Sequence, residues 1–424
     1  MTTSTTSQED VGAQVSAYLA DTSSLTDPFP LYQRLRETDP VHWSERNGFW
    51  VVTGYDEVEA CYLDERLSRQ EAAQRQFRWI GTSDDPPEIE EAVSSHLATI
   101  LNLEPPDHTR LRALVSSAFT PRAVKVWRDL SCRVVDETLA AALQHREFDF
   151  LREVGYPIPE RIICEVLGVP VEDHDKWKTW AVGLGHAAIF IGRNRSDATL
   201  PPGVREAAQQ ALLKWYGYFR DLAARRRADP GDDLVSALVN AEEAGDRLSE
   251  QELVGALMLL VSAGHETTAN LITNGLLALM RNPDQYALLR QDPQAHAAGV
   301  VTEVLRYDGP ARGQPRVAVA DVELGGKTIR AGDMVMVVVN AANRDPAVFP
   351  DPDRFDITRR ANRHLAFGAG IHYCVGAGLA RMEAEIAFER IGTSDATFEL
   401  AAEQLAYKPT HGRNLTALPV LQRT

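Results

Sequence analysis

The stretch Phe367-Gly368-Ala369-Gly370-Ile371-His372-Tyr373-Cys374-Val375-Gly376 sets one cysteine at the end of a glycine-punctuated loop, directly before a helix-like pattern. This arrangement offers a single thiolate to a metal from one side. The glycines have no Cβ and let the backbone approach a flat ligand closely. The following helix aims its free N–H groups and positive dipole end at the sulfur, which favours thiolate over thiol. A second chemical feature is Ala263-Gly264-His265-Glu266-Thr267-Thr268, in the middle of a long apolar helical pattern. Gly264 costs about 1 kcal/mol against alanine there, and a buried Glu266 costs more unless something satisfies it. A local rule broken inside a well-formed element points to function. The small residues leave room for a ligand, the threonine hydroxyl can bind a diatomic molecule, and the acid beside it can relay protons. The bland alternative is a water-touching face with Thr267 bonded back to the carbonyl four residues earlier. His265-Glu266 also begins a zinc-protease pattern, but the position of its second histidine is Ala269, which excludes that chemistry.

Other candidates are less specific. Glu303 and Arg306 lie three apart on one helix face, and most such pairs are weak surface salt bridges. His108 and Arg112, four apart on a helix opened by Pro105-Pro106-Asp107, suit a ligand that carries carboxylates. Arg316 in the strand-like Pro315-Arg316-Val317 and His372 beside the cysteine are further cations. Taken singly, each reads as a plain surface charge; together they can flank a thiolate-bound group.

The elements that must position these residues are mostly helical. The clearest helix spans about Glu250 to Met280, with Ser249 and Glu252 as a capping box and Leu248 with Leu253 as a hydrophobic staple. It is apolar nearly all round and is expected to be buried; at 1.5 Å per residue it runs roughly 45 Å. Val41 to Thr53 reads as a hairpin around Asn47-Gly48. Asp321 to Val339 reads as strands with turns at Gly325-Gly326 and Ala331-Gly332, and Leu405 to Leu421 as a short strand pair. The fold class is therefore mainly α with small β-sheets (α+β). The expected organisation is a flexible segment 1–26 followed by one large domain over 27–424.

Composition narrows the class. With 424 residues, 44% hydrophobic and 25% charged, the chain is ordinary globular protein. No signal peptide or membrane-length apolar run is present, so a cytoplasmic protein without a membrane anchor is expected. Cys61, Cys132, Cys164 and Cys374 form no CxxC pair, which argues against a disulfide framework or a zinc site. A net charge of −16 disfavours nucleic acid as a partner. The local cluster Arg110, Arg112, Arg122, Lys125 and Arg128 is either a solvated helix face or a dock for an acidic protein.

Taken together, these motifs resemble the cytochrome P450 family, of the soluble bacterial kind. The loop through Cys374 matches the family's F-G-x-G-x-H/R-x-C-x-G signature, Ala263 to Thr268 its oxygen-activation motif, and Glu303 with Arg306 its E-x-x-R pair. Asn343-Arg344-Asp345-Pro346 and Phe349 to Phe355 resemble the segment between that pair and the cysteine loop, and the likeness extends from about Asp27 to the C-terminus. The resemblance implies a helix-dominated domain enclosing haem b, with dioxygen as co-substrate. Cys374 then corresponds to the iron ligand, Thr267 to the distal threonine and Glu266 to the acid of the proton relay. Glu303 and Arg306 correspond to the structural pair, and His108, Arg112, Arg316 and His372 to residues that hold the haem propionates. Phe367, Gly368, Ala263 and Gly264 line the cofactor. The substrate roof falls on the loop from about Gln70 to Leu101, with Phe77, Trp79 and Ile80, and on Gly183 to Val204. Leu260, Ala263 and Gly264 line the distal side, and Val317 and the turn near Thr410 to Leu415 are weaker pocket candidates. Arg75, Arg78 and His186 are candidate contacts for a polar or anionic end of the substrate, against the plainer reading of each as a solvent-exposed cation.

The activity implied is a haem-thiolate monooxygenase of secondary metabolism that oxidises an apolar small molecule of terpenoid, polyketide or aromatic type. The chain carries no flavin motif and no four-cysteine cluster, so electrons are expected from a ferredoxin and ferredoxin reductase, or a flavodoxin. An acidic ferredoxin would dock near Arg110 to Arg128. Two rivals are a peroxide-driven peroxygenase on the same fold, which the Glu266-Thr267 pair disfavours, and a non-catalytic haem sensor or carrier.

Overall fold

The computed structural model describes residues 11–14 and 27–423, apart from 78–79, 82–83, 120, 175, 177–201, 244, 312, 361 and 409–413. The chain divides into two compact units. The first comprises Met1–Leu67, Arg128–Pro159 and Glu266–Thr424, and the second Ser68–Trp127 and Glu160–His265. Trp79, Arg78, His186, residues 183–201 of the expected roof and Thr410 of the expected turn lie outside the described residues. Among the described residues no helix is long and apolar enough to cross a membrane.

The first unit holds the main sheet. Strands β1 (Val41–Ser44) and β2 (Phe49–Val52) form the expected hairpin, with Gly48 at φ +66° supplying the turn conformation that other residues resist. Following β3 (Leu67–Ser68) and β4 (Glu147–Asp149) come β5 (Pro315–Ala318), β6 (Val322–Leu324), β7 (Lys327–Ile329) and β8 (Met334–Val337). The sheet order is β1-β2-β8-β5-β3, with β8 parallel to β2 and antiparallel to β5. Among the described residues β6 and β7 pair only with each other. Val52, Val58, Val335, Val337 and Phe349 form a buried cluster on one side of this sheet. Phe29, Tyr32, Leu35, Val51 and Met336 form another, which also takes in Val11. The alternation of Val51 and Val52 between the two clusters is the period-two signature of a strand buried on both faces.

The C-terminal strands depart from expectation. β9 (Thr397–Leu400) pairs with β10 (Pro419–Arg423), which pairs in turn with β4. Within 405–418 there is only the isolated bridge Tyr407–Leu415 among the described residues. The sequence pattern marked β10 but not its partners, because both lie outside the window in which a local hairpin is sought.

Helix α1 (Glu250–Arg281) ends one residue beyond its expected end and is capped as its sequence requires. Ser249 N donates to Glu252 Oε2 at 2.8 Å, and Glu252 N donates to Ser249 Oγ at 3.3 Å. Helices α2 (Pro293–Asp308) and α3 (Ala377–Thr393) belong to the first unit and pack closely on each other. In the second unit the expected roof loop is largely helical: Arg69–Phe77 and Pro87–Leu97 are helices, and Pro87–Leu97 packs on Val204–Ala228. Asp84 and Asp85 stay in a turn, and the helix begins at Pro87, where Pro at N1 and Glu88 and Glu90 in the first turn are favourable.

Candidate active site

The cysteine loop is built by glycine geometry and by a pinned approach. Gly368 and Gly370 adopt φ +74° and +68°, a region an L side chain enters only with strain. A Cβ on Gly370 would also come 3.0 Å from the Tyr62 carbonyl oxygen. Cys374 N donates to Phe367 O at 2.9 Å, which closes the loop, and Gly368 N donates to Leu365 O. A 3-10 turn, Gly370–His372, leads to Cys374, and α3 starts three residues later. Cys374 is half-buried, whereas Cys61 is buried and its thiol is pushed up to about 12 by burial, against the pull of Arg316. Only Cys374 of these two stands at a helix N-terminus, where a thiolate is favoured. Beyond it, a Cβ on Gly376 or Gly378 would meet nothing within 4 Å, so this face of the backbone is open.

The segment leading to that loop is fixed by a buried ion pair. Arg306 donates from Nε to Glu303 Oε2 (2.9 Å) and from NH2 to Glu303 Oε1 (2.6 Å), with side chains 0% and 1% exposed. This is not the weak surface pair that spacing alone indicates. Glu303 also accepts from Arg359 Nε, Asp356 N and Asn362 Nδ2. Arg306 NH1 donates to the carbonyls of Asn343 and Pro352, and NH2 to that of Arg354. Asn343 Oδ1 accepts from Leu365 N at 2.7 Å. A continuous path therefore runs from α2 through residues 343–365 to the cysteine loop. Arg344 in the same segment donates to Tyr307 O and lies between the Phe29 and Tyr307 rings.

The other cations are not plain surface charges. Arg316 is buried on β5 with its guanidinium 5.3 Å from the Tyr62 ring centroid. His372 is half-buried. In the second unit, His108 is buried in the first turn of Asp107–Ser117. Burial and then the neighbouring Arg112 lower its pKa, with Glu104 opposing. Arg110, by contrast, is already paired with Glu252 and Asp246, so the basic stretch is less free than its composition implies. Lys125 and Arg128 are exposed.

Along α1, Leu253–Met258 and Thr268–Leu279 are buried, but Ser262, Ala263 and Thr267 are exposed and Gly264, His265 and Glu266 half-buried. The helix expected to be buried throughout is thus open over its polar centre. A Cβ on Gly264 would stand 3.3 Å from Ile163. Glu266 is satisfied by a residue that the motifs do not mark: Lys408 Nζ lies 3.0 Å from Glu266 Oε1 and donates to Tyr156 OH at 2.7 Å. Nothing in the sequence near Lys408 announces this role, because the contact spans 142 positions.

The remaining pocket candidates are dispersed. Leu260 and Ile80 are buried, and the Ile80 carbonyl accepts from Gln209. Phe77 packs edge-on against His96. Val317 is fully buried in the sheet opposite Met334, and Arg75 is paired with Glu71. Within the first unit the donor set fits an iron porphyrin: one sulfur at a helix N-terminus, an open backbone face beside it, and the buried cation Arg316, suited to a carboxylate.

Comparison with known proteins agrees with this donor set. Residues 82–391 match the family model for cytochrome P450. The chain is 39% identical over 407 residues to the cytochrome P450 monooxygenase PikC of Streptomyces venezuelae, covering 94% of this chain and 91% of that one. It is 39% identical over 401 residues to a vitamin D(3) 25-hydroxylase of Pseudonocardia autotrophica, covering 93% of each. Among solved structures, P450BioI bound to an acyl carrier protein ligated to hexadec-9Z-enoic acid superposes with a TM-score of 0.83 at 31% identity, covering 97% of this chain and 100% of that chain.

Proposed function

The chain belongs to the cytochrome P450 family and is a haem-thiolate monooxygenase that uses haem b and dioxygen; on that premise we propose which residues serve the reaction, and on what class of substrate. The observation that carries the proposal is the Cys374 loop, with its two left-handed glycines and its sulfur at the start of α3.

Cys374 holds the iron through its sulfur. In the first unit, Arg316 and His372 would hold carboxylates of the porphyrin; in the second, His108 and Arg112 are cations of the same chemistry. Bound haem supplies dioxygen activation and oxygen transfer to a C–H bond. The protein's own part is position and protons. Thr267 presents its Oγ1 at the exposed centre of α1, and the adjacent Glu266 carboxyl receives a proton from solvent and passes it inward. Glu303 and Arg306 touch no reacting atom; they keep residues 343–365, and so the cysteine loop, in place.

The substrate is an apolar small molecule of terpenoid, polyketide or aromatic type. Relatives named for vitamin D(3) hydroxylation and polyketide biosynthesis support this class. Electrons come from a separate ferredoxin and ferredoxin reductase, or a flavodoxin, in the cytoplasm. Ile371 and Tyr373, 46% and 39% exposed beside Cys374, and Leu63, 59% exposed near Gly370, give the donor an apolar landing area. Arg128, exposed in the same unit, adds charge for an acidic partner.

Carbon monoxide added to the reduced holoenzyme tests the ligand: the strongly red-shifted band of a thiolate complex is expected, and Cys374→Ser abolishes it. Persistence of that band in Cys374→Ser would refute the assignment. A compound library screened by the haem spin-state shift then defines the substrate class, and a preference for small polar compounds would overturn it.

A further inference from the structure

We propose that Lys408 is a positioning residue for proton delivery, acting through the carboxylate of Glu266 as one end of a clamp whose other end is Tyr156. The inference rests on the reading of Glu266 as the proton-relay acid. All three residues lie in the first unit.

Both supports of the clamp are held firmly. Lys408 N donates to Asn414 O at 2.7 Å, next to the Tyr407–Leu415 bridge, and Asn414 and Leu415 are buried. Tyr156 follows the π-helical turn Leu151–Gly155, and its N–H donates to Leu151 O at 2.8 Å. A Cβ on Gly155 would stand 2.5 Å from Thr273 Oγ1, and that hydroxyl is itself committed to Ala269 O. Glycine at 155 therefore lets this turn lie against α1, where Tyr156 OH reaches the lysine that reaches Glu266. The Lys408 ammonium also stands 5.3 Å from the Tyr156 ring centroid. A flexible lysine is thus fixed by a hydroxyl, a carboxylate and a ring face.

The chemistry of the clamp is positional. Burial pulls the lysine pKa down, but the Glu266 carboxylate and the Tyr156 phenol more than reverse this, leaving it raised. Lys408 keeps its proton at any physiological pH and is too weak an acid to feed the relay. It orients the carboxylate and restrains its sampling of other rotamers. The pair is half-buried, so a proton from water still reaches the carboxylate.

The test uses the holoenzyme without added substrate. A surrogate ferredoxin and ferredoxin reductase supply electrons, and dioxygen consumption is followed in H2O and D2O, each dioxygen taking two electrons and two protons to leave as peroxide. Lys408→Met slows this consumption by about three- to tenfold and raises the solvent isotope effect, Lys408→Arg restores most of the rate, and Tyr156→Phe falls between. In a Glu266→Gln background, Lys408→Met adds nothing. Infrared difference spectra at one fixed pH give a readout apart from turnover: the Glu266 carboxylate stretch, identified by its loss in Glu266→Gln, changes frequency in Lys408→Met because its ammonium partner at 3.0 Å is gone. An equal effect of Lys408→Met in both backgrounds, or an unmoved carboxyl band, overturns the clamp while the acid reading stands. If Glu266→Gln itself leaves the rate and isotope effect unchanged, the acid reading falls and the clamp falls with it.

Discussion

Replacing Glu303 by alanine removes the carboxylate that anchors the approach to the cysteine loop. Its two oxygens accept from Arg306 (twice), Arg359, Asp356 N and Asn362. The variant leaves Arg306, 0% exposed at its side chain, without its counter-charge. Breaking a buried pair in this way costs about 3–5 kcal/mol, because an uncompensated charge stays behind. For 424 residues the unfolding entropy is about 0.9 kcal/mol per kelvin, from roughly 2.1 cal/mol/K per residue, so the melting temperature falls by about 3–6 °C. Haem retention suffers as well, since Asn343 and Leu365 lie on the same hydrogen-bonded path. Thermal unfolding is read by circular dichroism and by the Soret band, together with the carbon monoxide spectrum. Replacing both partners, as in Glu303→Leu with Arg306→Met, costs less than the sum of the single changes. A loss under about 1 °C in Glu303→Ala, with the thiolate spectrum intact, would refute this reasoning and place the pair among ordinary surface contacts worth about 0–1 kcal/mol.

Three other outcomes follow from the packing. Glu383 is fully buried in α3, its Oε2 without a hydrogen-bond partner, and burial raises its pKa well above the usual range. The folded chain keeps a proton there that the unfolded chain releases from about pH 4 upward, so this residue costs stability as pH rises. Glu383→Gln should therefore be the more stable protein at pH 8 and lose its advantage towards pH 4, which urea titrations at several pH values check. A Cβ on Gly299 would lie 2.1 Å from the Ile357 carbonyl oxygen, and Ile357 N is itself held by Gln285. Gly299→Ala should cost about 1–3 kcal/mol in denaturant unfolding, since neither backbone can yield cheaply. Ser249→Ala removes half of the capping box at the start of α1 and should cost about 1 kcal/mol by the same measurement.

Much of the site was legible in the chain because its chemistry is local. The cysteine loop, the polar break in α1, its capping box and the Asn47-Gly48 hairpin are each contained in a dozen residues or fewer, where spacing fixes geometry. Two kinds of misreading have different causes. The Glu303–Arg306 pair and the cations Arg316 and His108 read as surface charges because sequence spacing does not report burial. The helices Arg69–Phe77 and Pro87–Leu97 go unread because the resemblance, and not its own residues, places the stretch from about Gln70 to Leu101 as a roof loop.

Sequence alone determined the reactive groups: one cysteine before a helix, an acid beside a threonine in a small-residue stretch, and a glutamate three residues before an arginine. It could do so because glycine dihedrals, helix periodicity and capping act over a few residues. Only the tertiary structure decided what those groups meet. It supplied Lys408 and Tyr156 to Glu266, gathered the carbonyls of Asn343, Pro352 and Arg354 around Arg306, and left Cys374 half-open while burying Cys61. These contacts join residues tens to hundreds of positions apart, and burial, which sets the strength of each charge interaction, exists only once the chain has folded.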